Sequence, residues 1–155
     1  TRLYFKDCYI DGTTDFIFGP STALFEDCII HSKRNSYVTA ASTPKEAKYG
    51  YVFKHCKLTA EPGVDKVYLG RPWRPYAYTL FIECELGKHI VLAGWHNWGK
   101  QSNEETARYM EYKNTGEGAN TSERVAWSKQ LTKKEAEEVT VDAIFRTQSD
   151  WNPID

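Results

Sequence analysis

Two short stretches of this sequence combine residue types that can do chemistry. In Asp15-Phe16-Ile17-Phe18-Gly19 a carboxylate heads an apolar run. In Leu69-Gly70-Arg71-Pro72-Trp73-Arg74-Pro75-Tyr76 an arginine and a tryptophan lie in a stretch stiffened by two prolines, whose fixed φ holds neighbouring side chains in place. A carboxylate serves as nucleophile or acid–base group once something ionises and orients it, and an arginine in reach does both. The plainer alternatives are a turn aspartate after Gly12-Thr13-Thr14 and a surface ion pair that contributes little. Which applies depends on whether the fold brings residues 15 and 71 together.

An internal repeat answers that question. The pattern aromatic-x-x-Cys-x-aliphatic occurs at Phe5, Cys8, Ile10; at Phe25, Cys28, Ile30; at Phe53, Cys56, Leu58; and at Phe81, Cys84, Leu86. A degenerate fifth copy is expected 28 residues on, with Tyr109 first, Tyr112 at the cysteine position and Asn114 at the aliphatic one. A short β-type run precedes each full copy, and a second lies between copies at Phe16 to Phe18, Tyr37 to Thr39, Val67 to Leu69 and Ile90 to Leu92. These runs are too short, and too rich in Phe, Tyr, Val and Ile, for helical repeats. Two or three strands per repeat make one coil of a solenoid, so the expected fold is all-β, a right-handed single-stranded parallel β-helix. An antiparallel sandwich shares the short strands but gives no reason for a recurring side-chain signature.

In such a solenoid, equivalent positions of successive coils stack about 4.8 Å apart. Cys8, Cys28, Cys56 and Cys84 then form one inward column of thiols, with two disulfides as the alternative. Zinc lacks support, because there is no Cys-x-x-Cys pair and the four histidines show no ligand spacing. Asp15 and Arg71 fall two rungs apart, roughly 10 Å between backbones, a gap an extended arginine nearly bridges. The coils should occupy about residues 1–115, followed by a loop and a C-terminal helix in about 116–155. Thr132-Lys133-Lys134-Glu135 is a capping-box pattern that opens a helix to about Phe145, with Ala136, Val139, Ala143 and Ile144 on its apolar face. That helix is expected to cover the last coil. The N-terminal end carries no comparable cover, so the chain reads as truncated there and prone to self-association through that end.

Composition removes other classes. The 20 basic and 21 acidic residues nearly cancel without forming a long block of one sign, which argues against nucleic acid as a partner. Apolar runs of only a few residues argue against a membrane span.

Gly12-Thr13-Thr14-Asp15-Phe16-Ile17-Phe18-Gly19 and Leu69-Gly70-Arg71-Pro72-Trp73 together resemble the two signatures of the pectin methylesterases, in the family's order and at a compatible distance. The segments Gly94-Trp95-His96-Asn97-Trp98-Gly99 and Arg124-Val125-Ala126-Trp127-Ser128 are similar to later family segments, so the resemblance spans nearly the whole chain. It implies an esterase acting on methylated polygalacturonate with no metal or organic cofactor, and a secreted, periplasmic or cell-wall location. Asp15 would be the nucleophile, Arg71 its orienting partner, and Phe18, Trp73, Tyr76 and Trp98 the saccharide contacts. The family also carries, upstream of this aspartate, a Gln-Asp pair that supplies a general acid and an earlier glutamine that, with it, donates to the oxyanion. The present sequence contains no counterpart before Thr1, so the chain by itself is expected to be inactive. A polygalacturonate hydrolase or lyase and a non-catalytic polysaccharide binder are the rivals. The first would need paired or clustered carboxylates, for which Asp15 has only distant acids such as Asp11 or Glu26.

Overall fold

A computed structural model of the chain describes residues 2–146. The strands come in coils: β1 (Arg2–Lys6), β2 (Tyr9–Gly12) and β3 (Ile17–Gly19), then β4 (Thr22–Glu26), β5 (Ile29–Ser32) and β6 (Tyr37–Ala41). A third coil holds β7 (Tyr51–Lys54), β8 (Lys57–Ala60) and β9 (Tyr68–Gly70), and a fourth holds β10 (Tyr78–Ile82) and β11 (Glu85–Leu86). A short helix α1 (Asn103–Thr106) leads into β12 (Arg108–Tyr112), and β13 (Lys129–Gln130) follows. Equivalent strands pair in parallel into three sheets, ordered β1-β4-β7-β10-β12-β13, β2-β5-β8-β11 and β3-β6-β9. This is the parallel β-helix that the repeat predicts.

The signature residues are the interior of the coil. Phe5, Phe25, Phe53 and Phe81 stack ring on ring, with centroids 4.9, 4.5 and 4.4 Å apart and interplanar angles below 10°. Such pairs add about 0.5–1.5 kcal/mol each beyond their area burial. The residue before each cysteine turns the corner between sheets in the left-handed region, with φ 55° at Asp7, 53° at Asp27, 55° at His55 and 49° at Glu83, and Lys113 before Asn114 does the same at 45°. The cysteines form the expected column and are free thiols, not disulfides. Rung-to-rung bonds pass through it, from Ile29 N–H to Cys8 O, Lys57 N–H to Cys28 O and Glu85 N–H to Cys56 O, each 2.9 Å. Burial pushes the Cys28 thiol up to about 11, so it stays protonated at neutral pH.

Three expectations need correction. The fifth copy is offset by 30 residues, not 28, because Phe81 pairs with Glu111 and Ile82 with Tyr112. Asn114, not Tyr112, therefore follows the left-handed corner as the cysteines do, and its Oδ1 accepts from Cys84 N–H at 2.8 Å. The C-terminal helix is two helices, α2 (Lys133–Glu137) and α3 (Val141–Arg146). The capping box at Thr132 and Glu135 forms as read. The break follows because Val139 O accepts from Lys54 Nζ at 3.1 Å and Thr140 starts a new helix, its Oγ1 accepting from Ala143 N–H at 3.0 Å. Neither helix covers the last coil. Val139, Ile144 and Phe145 pack on Leu24, Val52, Leu80 and Ile82, the outer face of the first sheet. With both faces covered, β4, β7 and β10 are almost wholly buried, which explains their continuous apolar sequences. Residues 147–155 of the expected C-terminal region lie outside the described residues.

The end of the coil is closed instead by the segment after β12. Glu111 takes the phenylalanine position and is 1% exposed, with Arg124 bonded to both of its oxygens at 2.9 and 3.1 Å. Arg124 also donates to the carbonyls of Val91, Leu92 and Gly118. Removing the cation would strand a buried carboxylate. We expect Arg124→Ala to cost about 3–5 kcal/mol in urea unfolding. A loss below about 1 kcal/mol would mean that Glu111 reaches water or is protonated at little cost.

Candidate active site

The backbone ladder sets Asp15 and Arg71 on either side of β6. Asp15 N–H donates to Tyr37 O at 3.0 Å, and Arg71 N–H donates to Thr39 O at 3.1 Å. One residue leads into β3 and the other follows β9, so two rungs separate them, as the count of coils requires. The side chains close that gap. Arg71 Nε donates to Asp15 Oδ1 at 3.1 Å and Nη2 to Oδ2 at 2.7 Å, a bidentate pair in which both side chains are about one-fifth exposed. Geometry of this kind fixes the carboxylate plane.

Arg71 is itself held on both faces. Its guanidinium carbon lies 3.9 Å from the Tyr37 ring centroid and 4.1 Å from that of Trp98. Tyr37 stacks on Tyr68 at 5.3 Å, and His96 meets both rings edge-on at 5.5 and 5.2 Å. Trp98 has φ 63°, a left-handed conformation costly for a bulky residue and separate from the corner column. Asp15, at φ 48°, is strained in the same way. The turn carrying Trp98 is braced by Asn97, whose Oδ1 accepts from Gly99 N–H and whose Nδ2 donates to Glu104 of α1.

A groove of about 360 Å³ opens beside the pair, lined by Thr14, Asp15, Phe18, Ala40, Trp73 and Trp98. Phe18, Trp73 and Trp98 are 61%, 40% and 38% exposed, and Phe18 meets Trp73 at 5.9 Å. Large aromatic faces kept in water around one carboxylate are poor for folding and suited to a flat, partly apolar ligand. Of the residues singled out in sequence, Asp15, Arg71, Phe18, Trp73 and Trp98 come together here. Tyr76 does not line the groove: its ring faces Lys45, and its carbonyl is bound by Arg108. Asp11 and Glu26 are also elsewhere, engaged with Lys33 and Tyr4. Tyr37 and His96 were missed, although Tyr37 sits on the rung between Asp15 and Arg71. Among the described residues no cluster of His, Cys, Asp and Glu has the makings of a metal site.

The Pectinesterase family model matches residues 1–148, and the chain belongs to that family. It is 45% identical over 136 residues to pectinesterase 31 of Arabidopsis thaliana, covering 87% of this chain and 43% of that protein. The pectin methylesterase from carrot superimposes with a TM-score of 0.86 at 34% identity, over 92% of this chain and 50% of that one. A pectin methylesterase solved in complex with a hexasaccharide gives 0.81 at 30% identity, over 98% and 52%. The chain thus spans about half the length of the relatives it matches, and its solenoid is the right-handed form.

Arg71→Lys tests the bidentate geometry separately from the charge. Lysine keeps the cation but loses the fork and the flat face between Tyr37 and Trp98. In the full-length protein we expect turnover to fall about 100-fold with a smaller change in KM. Unchanged turnover would show that a nearby positive charge is sufficient.

Proposed function

We propose that this chain carries the nucleophile and saccharide groove of an esterase that removes methyl groups from methyl-esterified polygalacturonate. The observation that carries this reading is the Asp15–Arg71 bidentate pair opening into an exposed aromatic groove, in a chain of the Pectinesterase family. One Asp15 oxygen attacks the C6 ester carbonyl, and collapse of the tetrahedral intermediate breaks the bond to the methoxy oxygen. Methoxide leaves with a proton from a general acid, as methanol. Water then adds to the acyl carbon of the anhydride, giving a proton to the conjugate base of that acid, and the anhydride bond breaks to release the sugar carboxylate and restore Asp15. Arg71 holds the attacking carboxylate in one plane and aims it. Phe18, Trp73 and Trp98 hold the sugar rings by their faces.

The groove-lining residues include no second acid and no amide donor for the oxyanion. Those groups must come from outside the groove as described, so the isolated chain is inactive on this reading and the full-length protein is the form to assay. A substrate built into extracellular walls places the protein outside the cytoplasm. Glycosidic hydrolysis is disfavoured because Asp15 has no carboxylate companion across the groove. Methanol release from methylated polygalacturonate distinguishes the esterase from a simple binder. Asp15→Asn should abolish it, by at least about 10⁴-fold, with the circular dichroism spectrum unchanged. Retained methanol release would remove Asp15 from the reaction.

We also propose that the isolated chain self-associates through the β1, β2 and β3 end. These are the terminal strands of all three sheets. Leu3 is 39% exposed there, whereas its partner Ala23 on β4 is fully buried. Sedimentation well above micromolar concentration should show a dimer whose interface includes residues 2–20. A strict monomer, or a dimer joined elsewhere, would refute this.

A further inference from the structure

His96 has no part in the reaction as proposed, yet its surroundings are built with more care than a surface histidine needs. Its N–H donates to Gly70 O at 3.0 Å, which ties it to the residue immediately before Arg71. Its ring is held edge-on against Tyr37 and Tyr68. Its Nδ1 accepts from Trp98 N–H at 3.0 Å. Trp98 is the strained residue whose indole covers the outer face of Arg71. One imidazole therefore touches the tyrosine under the guanidinium and fixes the backbone of the tryptophan above it.

We propose that His96 is a positioning residue that holds Trp98 over Arg71, and that it does so only as the neutral imidazole. Because Nδ1 receives an N–H, the ring proton of the neutral form must be on Nε2. Protonation turns Nδ1 into a donor facing another donor, and the contact to Trp98 is lost. With it goes the force keeping Trp98 in its left-handed conformation, so one face of Arg71 opens to water and Asp15 loses its fixed plane.

The charged groups around His96 set when this happens. Arg71, after β9, is the nearest cation, and Asp15 lies beyond it, already bonded to it. Glu104 of α1 is engaged by Asn97, and Tyr37 and Tyr68 meet the imidazole through their rings. Burial, and then repulsion from Arg71, push His96 below its ordinary value. The sign follows: the ring is neutral at and above the ordinary histidine range, and Trp98 is released only as pH falls below it.

The kinetic part of the test rests on the esterase reading; the spectroscopic part does not. In the full-length protein, ¹⁵N spectra of His96 should show the Nε2–H tautomer, and the Trp98 indole resonance should titrate with the same midpoint as His96. His96→Phe keeps the ring between the tyrosines but removes the acceptor, and kcat should fall about 10-fold or more, with little change in KM. His96→Asn restores an acceptor for the N–H two residues on, as Asn97 already provides for Gly99, and it does not titrate. It should recover turnover relative to the Phe variant and shift the acid limb of the kcat profile to lower pH. An Nδ1–H tautomer, wild-type kcat in the Phe variant, or an unchanged acid limb in the Asn variant would each overturn the proposal. If His96→Phe does not fold, the Asn variant and the spectra still decide it. Absence of methanol release by the wild-type protein would instead sink the esterase reading and leave the spectroscopic result standing.

Discussion

The structure depends on one constraint, the strict parallel register that places each coil on the one before it. Every rung repeats the same inward positions, so a side chain that suits the interior must suit its own copy above and below. Phenylalanine meets that requirement by stacking face to face, and cysteine by being small, apolar and able to donate to the preceding coil, as Cys56 and Cys84 do to Phe25 O and Phe53 O. The left-handed corner before each cysteine, and before Asn114 in the last coil, is the backbone part of the same solution. It recurs at five residues of four different types, Asp, His, Glu and Lys, none of them glycine. The ladder evidently outweighs the local cost, typically about 1–3 kcal/mol for a sparsely populated conformation.

That register is also what makes the site possible. Residues 15 and 71 meet because strands two rungs apart are held at a distance one arginine spans, and β6 between them supplies both backbone anchors. A helical scaffold would set such a pair by packing, which side-chain changes can shift. Here it is set by backbone hydrogen bonds. Strain at Asp15 and Trp98 stands apart from the corner column, since no other rung repeats it, and it falls where the chemistry is proposed.

Much of this was legible in sequence, for a physical reason. Stacking forces periodicity, so the coil, the thiol column and the Asp15–Arg71 contact followed from counting rungs. Counting failed where the interior residue type changed. Glu111 replaces phenylalanine, and its identity makes sense only once Arg124, from a loop with no repeat, is seen to neutralise it. The division of the C-terminal helix was foreshadowed by Thr140, a second N-cap residue, but the decisive contact is Lys54 to Val139 O across 85 positions. Helix faces encode burial, not which surface they bury against. Thus Val139 and Ile144 were recognised as apolar, while their docking on the side of the coil rather than its end was not. Tyr37 was overlooked because an aromatic in a strand is ordinarily core; only the register shows it lying under Arg71.

Arg71 shows how few degrees of freedom remain in the site. Its two faces are covered by Tyr37 and Trp98, and two of its donors are committed to Asp15. Being planar, it can satisfy both demands at once: π contacts above and below, hydrogen bonds in the plane. The two rings thereby fix the plane in which the guanidinium, and through it the carboxylate, must lie. An acyl transfer needs the attacking oxygen held within a few tenths of an ångström of its line of approach, and orientation of that kind supplies much of the rate. The aromatic residues around this centre therefore divide by task. Tyr37 bears on Asp15 through Arg71, Phe18 and Trp73 face the groove, and Trp98 does both, which is why a residue that fixes Trp98 can bear on Asp15 without lining the groove.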